Sequence, residues 1–176
     1  SFEVGRVVKL LRRAHWKDKT VTDTLFDLFV RPEELSYQNI SILAKVLSEL
    51  YKYQRNFVID CIDELLEKIE RGLELNDFTH SMHRVAEVRY LTELYNFALV
   101  KPNVLLDTMY LILKYGHNGK GSYLFSPNDI DEADNYFKIQ LLSTMLLNLR
   151  RNTSLLSKKL PLYLRFYEYY TFTKEQ

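Results

Sequence analysis

The sequence predicts an all-α chain, and three observations carry that prediction. Leu-rich stretches run long without breakers, with apolar residues recurring at i, i+3, i+4 and i+7. Only five Gly and four Pro punctuate 176 residues, which is sparse for many short strands joined by turns. Hydrophobic residues make up 47% of the chain, enough to bury a sizeable core and to argue against disorder.

Eight helices follow in order. The first covers about Phe2 to Ala14, with Val4, Val7, Val8 and Leu11 at helical spacing. Asp18 or Thr20 caps a second, whose inner face is Val21, Leu25, Leu28 and Phe29. Pro32 breaks it, because the residue before a proline is driven out of the α region. Ser36 caps a third helix carrying Ile40, Leu43, Ala44, Leu47, Leu50 and Tyr51. The fourth spans about Arg55 to Leu73. The fifth begins after Asn76-Asp77 and carries Val85, Val88, Leu91, Leu94, Tyr95 and Ala98. Pro102 opens a sixth, Asn103 to Tyr115, where its missing N–H is harmless. Gly, Asn, Ser and Pro concentrate between Gly116 and Asp129, which reads as one long loop. The seventh helix covers about Asp134 to Leu149 and the eighth about Ser157 to Phe172.

Short connections favour antiparallel neighbours, and helix pairs stacked side by side make a HEAT-like α-solenoid. No strict repeat is visible, so this architecture rests on element order. Residues 1–176 are expected to form a single helical domain, a piece of a longer scaffold. The single cysteine, Cys61, excludes an internal disulfide. No secretory leader opens the sequence and no run is long and apolar enough to span a membrane. An intracellular, cytoplasmic setting is expected, and the sequons at Asn39 and Asn152 read as chance matches.

Net charge is +1, but it is unevenly spread. Residues 1–19 carry +4, residues 60–74 carry −4, and residues 150–165 hold five basic residues and no acid. Separate acidic and basic surfaces suit a protein with more than one charged partner. The fourth helix is the most informative. Phe57, Val58, Cys61, Ile62, Leu65, Leu66, Ile69 and Leu73 fill one half of its wheel, and Asp60, Asp63, Glu64, Glu67, Glu70 and Glu74 crowd the other. Asp63, Glu67, Glu70 and Glu74 fall at i, i+4, i+7 and i+11, a one-signed stripe whose members repel by a few tenths of a kcal/mol per pair. Lys68 and Arg71 lie to one side. A solvated face is the plain interpretation; a dock for a basic partner is the functional one. Gly72 decides the extent, since a left-handed helix end there turns Glu74 away.

Candidate RNA contacts fall in two basic regions. Arg6, Lys9 and Arg13 on the first helix, continued by Lys17, offer charges to phosphates. Arg150, Arg151, Lys158, Lys159 and Arg165 neighbour Tyr163, Phe166, Tyr167, Tyr169 and Tyr170, a mixture that suits single strands unless the rings are spent on the core. Catalytic signals are weak, and no enzyme, cofactor or metal is expected. His80 and His83 at i, i+3 need two more ligands to hold a metal. Gly116 to Ser122 has two residues between its first Gly and Gly-Lys where a phosphate loop needs four, and a helix precedes it. Cys61 sits on an apolar face as a small hydrophobe.

Several segments together carry a resemblance. Arg89-Tyr90-Leu91-Thr92-Glu93-Leu94-Tyr95-Asn96, Val104 to Gly116-His117 and Phe137-Lys138-Ile139-Gln140-Leu141-Leu142 resemble the middle domain of translation initiation factor 4G and its relatives. Ala14-His15-Trp16-Lys17-Asp18, Ser36-Tyr37-Gln38-Asn39-Ile40, Arg71-Gly72-Leu73-Glu74 and Ser157-Lys158-Lys159-Leu160 resemble, within that family, the third such domain of the up-frameshift-two scaffolds of nonsense-mediated mRNA decay. The resemblance runs in order along nearly the whole chain. It implies a HEAT-like fold without catalysis that binds the RNA-recognition-motif domain of up-frameshift protein three. Family residues for that contact match Asp63, Glu67 and Glu74 here, with Glu70 and Asp60 as neighbours. A helicase-docking or RNA-binding role, as in other domains of the family, is the alternative. Lys68 stands where relatives often have another acid, which implies a weaker or shifted pairing. Arg150 to Leu156 departs from the family's polar, Gly-containing turn.

Overall fold

A computed structural model describes residues 2–76, 78–117 and 125–174, and eight α-helices with no strands account for its architecture among those residues. Asp77 and half of the predicted 116–129 loop, residues 118–124 with the Gly119-Lys120-Gly121-Ser122 stretch, lie outside the described residues. Contacts divide the chain into two compact units, residues 1–100 and 101–176.

The first unit holds α1 (Phe2–Arg12), α2 (Lys19–Phe29), α3 (Ile40–Leu50), α4 (Arg55–Leu75) and α5 (Ser81–Asn96). Helix α1 ends two residues earlier than expected. Trp16 fixes the turn after it, donating Nε1–H to the Leu11 carbonyl at 2.9 Å and setting its ring edge-on to Phe57. Asp18 caps α2, accepting from the Thr20 N–H at 2.9 Å. Pro32–Glu34 forms one 3-10 turn after α2, and Tyr37–Asn39 forms another that leads into α3. Ser36 precedes that second turn without a side-chain cap, so it does not cap α3 as expected.

Helix α5 departs most from its pattern. Every residue from Arg84 to Tyr95 is buried, including Arg84, Glu87, Arg89 and Glu93. It packs on α3, on α4 and on the Pro32–Glu34 turn. Part of that charge is met inside: the Arg89 guanidinium donates to the Tyr37 carbonyl and stacks on the Tyr37 ring at 4.0 Å, and Glu87 stands 4.0 Å from Lys68. Ala98, expected on this helix, lies beyond its end in a left-handed turn (φ +65°).

The second unit holds α6 (Pro102–Lys114), α7 (Phe137–Asn148) and α8 (Ser154–Lys174), with α6 packed on both others. Leu105, Met109, Ile112, Leu113, Leu141, Leu142, Met145, Leu156 and Tyr163 form its core, and the Tyr163 hydroxyl donates to the Met109 carbonyl at 3.1 Å. Helix α7 starts three residues later than expected. Helix α8 starts three residues earlier and carries Pro161 inside it; Pro161 is solvent-exposed, where water can solvate the carbonyl that the ring leaves unpaired. After α6, Gly116 takes φ +82°, and a Cβ there would meet Ile130 Cγ2 at 2.8 Å. Glycine is required on both counts.

Candidate functional site

Helix α4 runs unbroken to Leu75 and ends on Asn76 in the left-handed conformation (φ +47°). Asn tolerates that cap, so Gly72 is an interior helical residue. Its small size serves packing instead: a Cβ on Gly72 would lie 3.1 Å from Arg84 Nε, so glycine lets the Arg84 side chain rest against α4. Glu74 therefore stays in register with Asp63, Glu67 and Glu70. All four are exposed, as is Asp60, while Phe57, Val58, Cys61, Leu65, Ile69 and Leu73 are buried on the opposite side. At 1.5 Å per residue the stripe is about 16 Å long.

The two cations on this helix take different roles. Lys68 turns inward: its Nζ donates to the Val30 carbonyl at 2.6 Å and to Glu33 at 3.0 Å, and stands 4.0 Å from Glu87. It ties α4 to the Pro32–Glu34 turn and leaves the outer charge of the stripe intact. Arg71 does reach the acidic face, contrary to the expectation that it lies aside. It bonds Glu64 at 2.8 Å and approaches Glu67 at 3.7 Å. Arg71 and Glu67 are exposed and Glu64 is half-buried, and surface ion pairs of this kind contribute little to stability.

Behind the stripe, a cavity of about 230 Å³ is lined by Glu33, Lys68, Arg71, His80, Arg84 and Glu87, among others. Burial raises the Glu87 carboxyl to about 7; Lys68 pulls it down and Glu33 pushes it up. The His80 and His83 rings lie 5.1 Å apart, and among the described residues no three His, Cys, Asp or Glu side chains converge as a metal site. Burial, then the nearby charge of Asp60, push the Cys61 thiol up to about 12, which keeps it protonated and unreactive at neutral pH.

The basic regions lie in different units. Arg6, Lys9, Arg13 and Lys17 are exposed, with Arg13 and Lys17 beyond the end of α1. The structure adds Arg12, whose guanidinium lies 3.9 Å above the Tyr53 ring, and Lys45, which with Lys9 and Arg12 rims a cavity of about 340 Å³. Arg150, Lys158, Lys159 and Arg165 are exposed and Arg151 is half-buried. The aromatics of α8 divide: Tyr163 and Tyr170 are core residues, whereas Tyr169 is 44% exposed.

Sequence reasoning missed a buried polar cluster around Asp131. His117 Nε2 and Lys174 Nζ each lie 2.6 Å from its carboxylate, the Tyr170 hydroxyl donates at 2.9 Å and Lys138 Nζ stands at 3.3 Å. The Asn128 side chain positions it by accepting the Asp131 N–H at 2.9 Å. The sequence did hold a signal: Lys138 sits three and four residues before Leu141 and Leu142 on an inner face, and Lys174 continues the stripe of Leu156, Tyr163 and Tyr170.

Hairpin-stacked helices presenting one-signed faces define an all-α protein of the HEAT-like class. The sequence pattern of the MIF4G domain matches residues 4–169, across both units, and the chain belongs to that family. It is 53% identical over all 176 residues to Nonsense-mediated mRNA decay protein 2 of Saccharomyces cerevisiae, of which it spans 16%. It is 30% identical over 143 residues (81% of this chain, 12% of the relative) to Regulator of nonsense transcripts UPF2 of Arabidopsis thaliana. The same 30% holds over 141 residues (80% of this chain, 11% of the relative) of Regulator of nonsense transcripts 2 of Homo sapiens. The chain thus covers less than a fifth of each of these relatives. No helix among the described residues is long and apolar enough to cross a membrane.

Proposed function

We propose that this chain is the third MIF4G domain of a cytoplasmic nonsense-mediated mRNA decay scaffold, a non-enzymatic module whose α4 binds the RNA-recognition-motif domain of up-frameshift protein three. The carrying observation is the unbroken helix that keeps Asp63, Glu67, Glu70 and Glu74 on one exposed stripe. The names of the relatives, each a nonsense-decay protein, support the pathway. A row of carboxylates with an inward-turned Lys68 is complementary to a basic surface, and such complementarity steers and orients partners. Glu67→Arg with Glu74→Arg is expected to weaken binding of the purified recognition-motif domain at least tenfold in a calorimetric titration, without loss of helicity. Rising salt weakens the unaltered complex, because exposed charges are screened. Affinity unchanged by the double reversal would sink this assignment.

A second interpretation, RNA binding, rests on the α1 side: Lys9, Arg12 and Lys45 around one cavity, with Tyr53 beneath Arg12. A gel shift with single-stranded RNA at low salt, lost on changing these three cations to Ala, is its test; no shift would remove it.

A further inference from the structure

Helix α8 carries more apolar residues than its packing uses. Leu156, Tyr163, Tyr170 and Lys174 form its buried side. On the opposite side Lys158, Leu162, Arg165, Tyr169 and Phe172 recur at i, i+4, i+7, i+11 and i+14, which at 100° per residue keeps them within one narrow face. Leu162 is 55% exposed, Tyr169 44% and Phe172 56%, and both cations are exposed. From Lys158 to Phe172 this stripe is about 21 Å long, four helical turns. An ordinary surface helix turns polar residues outward; three large apolar groups in line on that side are a contact surface. Tyr169 is already held in place, its ring centroid 6.1 Å from that of Phe125, so little ordering is needed when it is covered.

We propose that this outer face of α8 docks an acidic amphipathic helix of a protein partner. Lys158 and Arg165 stand two turns apart with Leu162 between them, so they fit carboxylates spaced by seven residues along one side of a partner helix. Tyr169 and Phe172 offer rings on which a base could stack, but two cations over four turns bring little of the phosphate-driven attraction that binds RNA. The inference concerns residues 154–174 alone and stands apart from the α4 dock.

A fluorescently labelled 16-residue peptide, with Leu at heptad positions and Glu flanking them, supplies the test by anisotropy against the whole chain. Binding is expected to weaken at least tenfold with Leu162→Ser and Phe172→Ser together, and to fall with Arg165→Glu. It should be absent for a scrambled peptide of equal charge and unaffected by Glu67→Arg on α4. If the double variant loses helicity in circular dichroism, Arg165→Glu alone carries the test. No binding, or equal binding of the scrambled peptide, overturns the proposal. So does oligouridylate binding that the same variants abolish, which would make the face a nucleic-acid site. A concentration-dependent dimer in sedimentation that these variants dissolve would assign the face to a second copy instead.

Discussion

At Asp131 one fully buried carboxylate meets His117 beyond α6, Lys138 of α7 and Tyr170 and Lys174 of α8. Burial alone raises such a group; the hydrogen bonds of His117 and Lys174, the charge of Lys138 and the Tyr170 hydroxyl outweigh it and hold the carboxyl well below its usual range. Replacing Asp131 with Ala strands two ammonium groups in the interior. A loss of about 3–5 kcal/mol in urea unfolding is expected. Because the folded carboxyl is depressed, its contribution is present above the ordinary value of 3.8 and is lost as pH falls through the folded value. Glu87 works in the opposite sense. Its folded value, about 7, lies above the ordinary 4.5, so the folded state takes up a proton that the unfolded chain does not hold between those limits. Stability from this group therefore declines as pH rises from 4.5 to 7. Glu87→Gln should remove that slope, on the order of 3 kcal/mol, from thermal unfolding compared across the same window.

Elements differ in how much of them the sequence discloses. Helix α4 was legible because its two halves face water and core, so the 3.6-residue period and the charge pattern coincide. Its length was not, because a glycine near a helix end signals a stop, and only the position of Arg84 explains why Gly72 is an interior residue. Helix α5 reads as amphipathic from Val85, Val88, Leu91 and Leu94, yet from Arg84 to Tyr95 it is enclosed all round, since partners such as Tyr37 and Lys68 come from far along the chain. In α8 the aromatics could not be divided between core and surface without knowing which side meets α6. The segment after α6 is pinned at Gly116, where both φ and Ile130 forbid a side chain. Gly116→Ala is expected to cost about 1–3 kcal/mol, measured as a lowered denaturation midpoint with an unchanged urea slope.

Across the molecule, near-neutral net charge conceals regional imbalance. The acidic stripe belongs to residues 1–100, and the cationic-apolar face of α8 to residues 101–176, so each unit offers a surface of its own character. Two of the segments that carry the family resemblance, Lys114 to His117 and Phe137 to Leu142, contain residues of the Asp131 cluster, His117 and Lys138. The cluster itself stayed hidden, since four residues spread from 117 to 174 converge only on folding.

The enclosure of α5 has a further consequence. From Arg84 to Tyr95 the helix has no outward side, so a visitor meets other parts of the chain. The outer faces of α4 and α8, proposed above as docks, can therefore be recharged without touching residues 84–95, whose packing is a record of assembly.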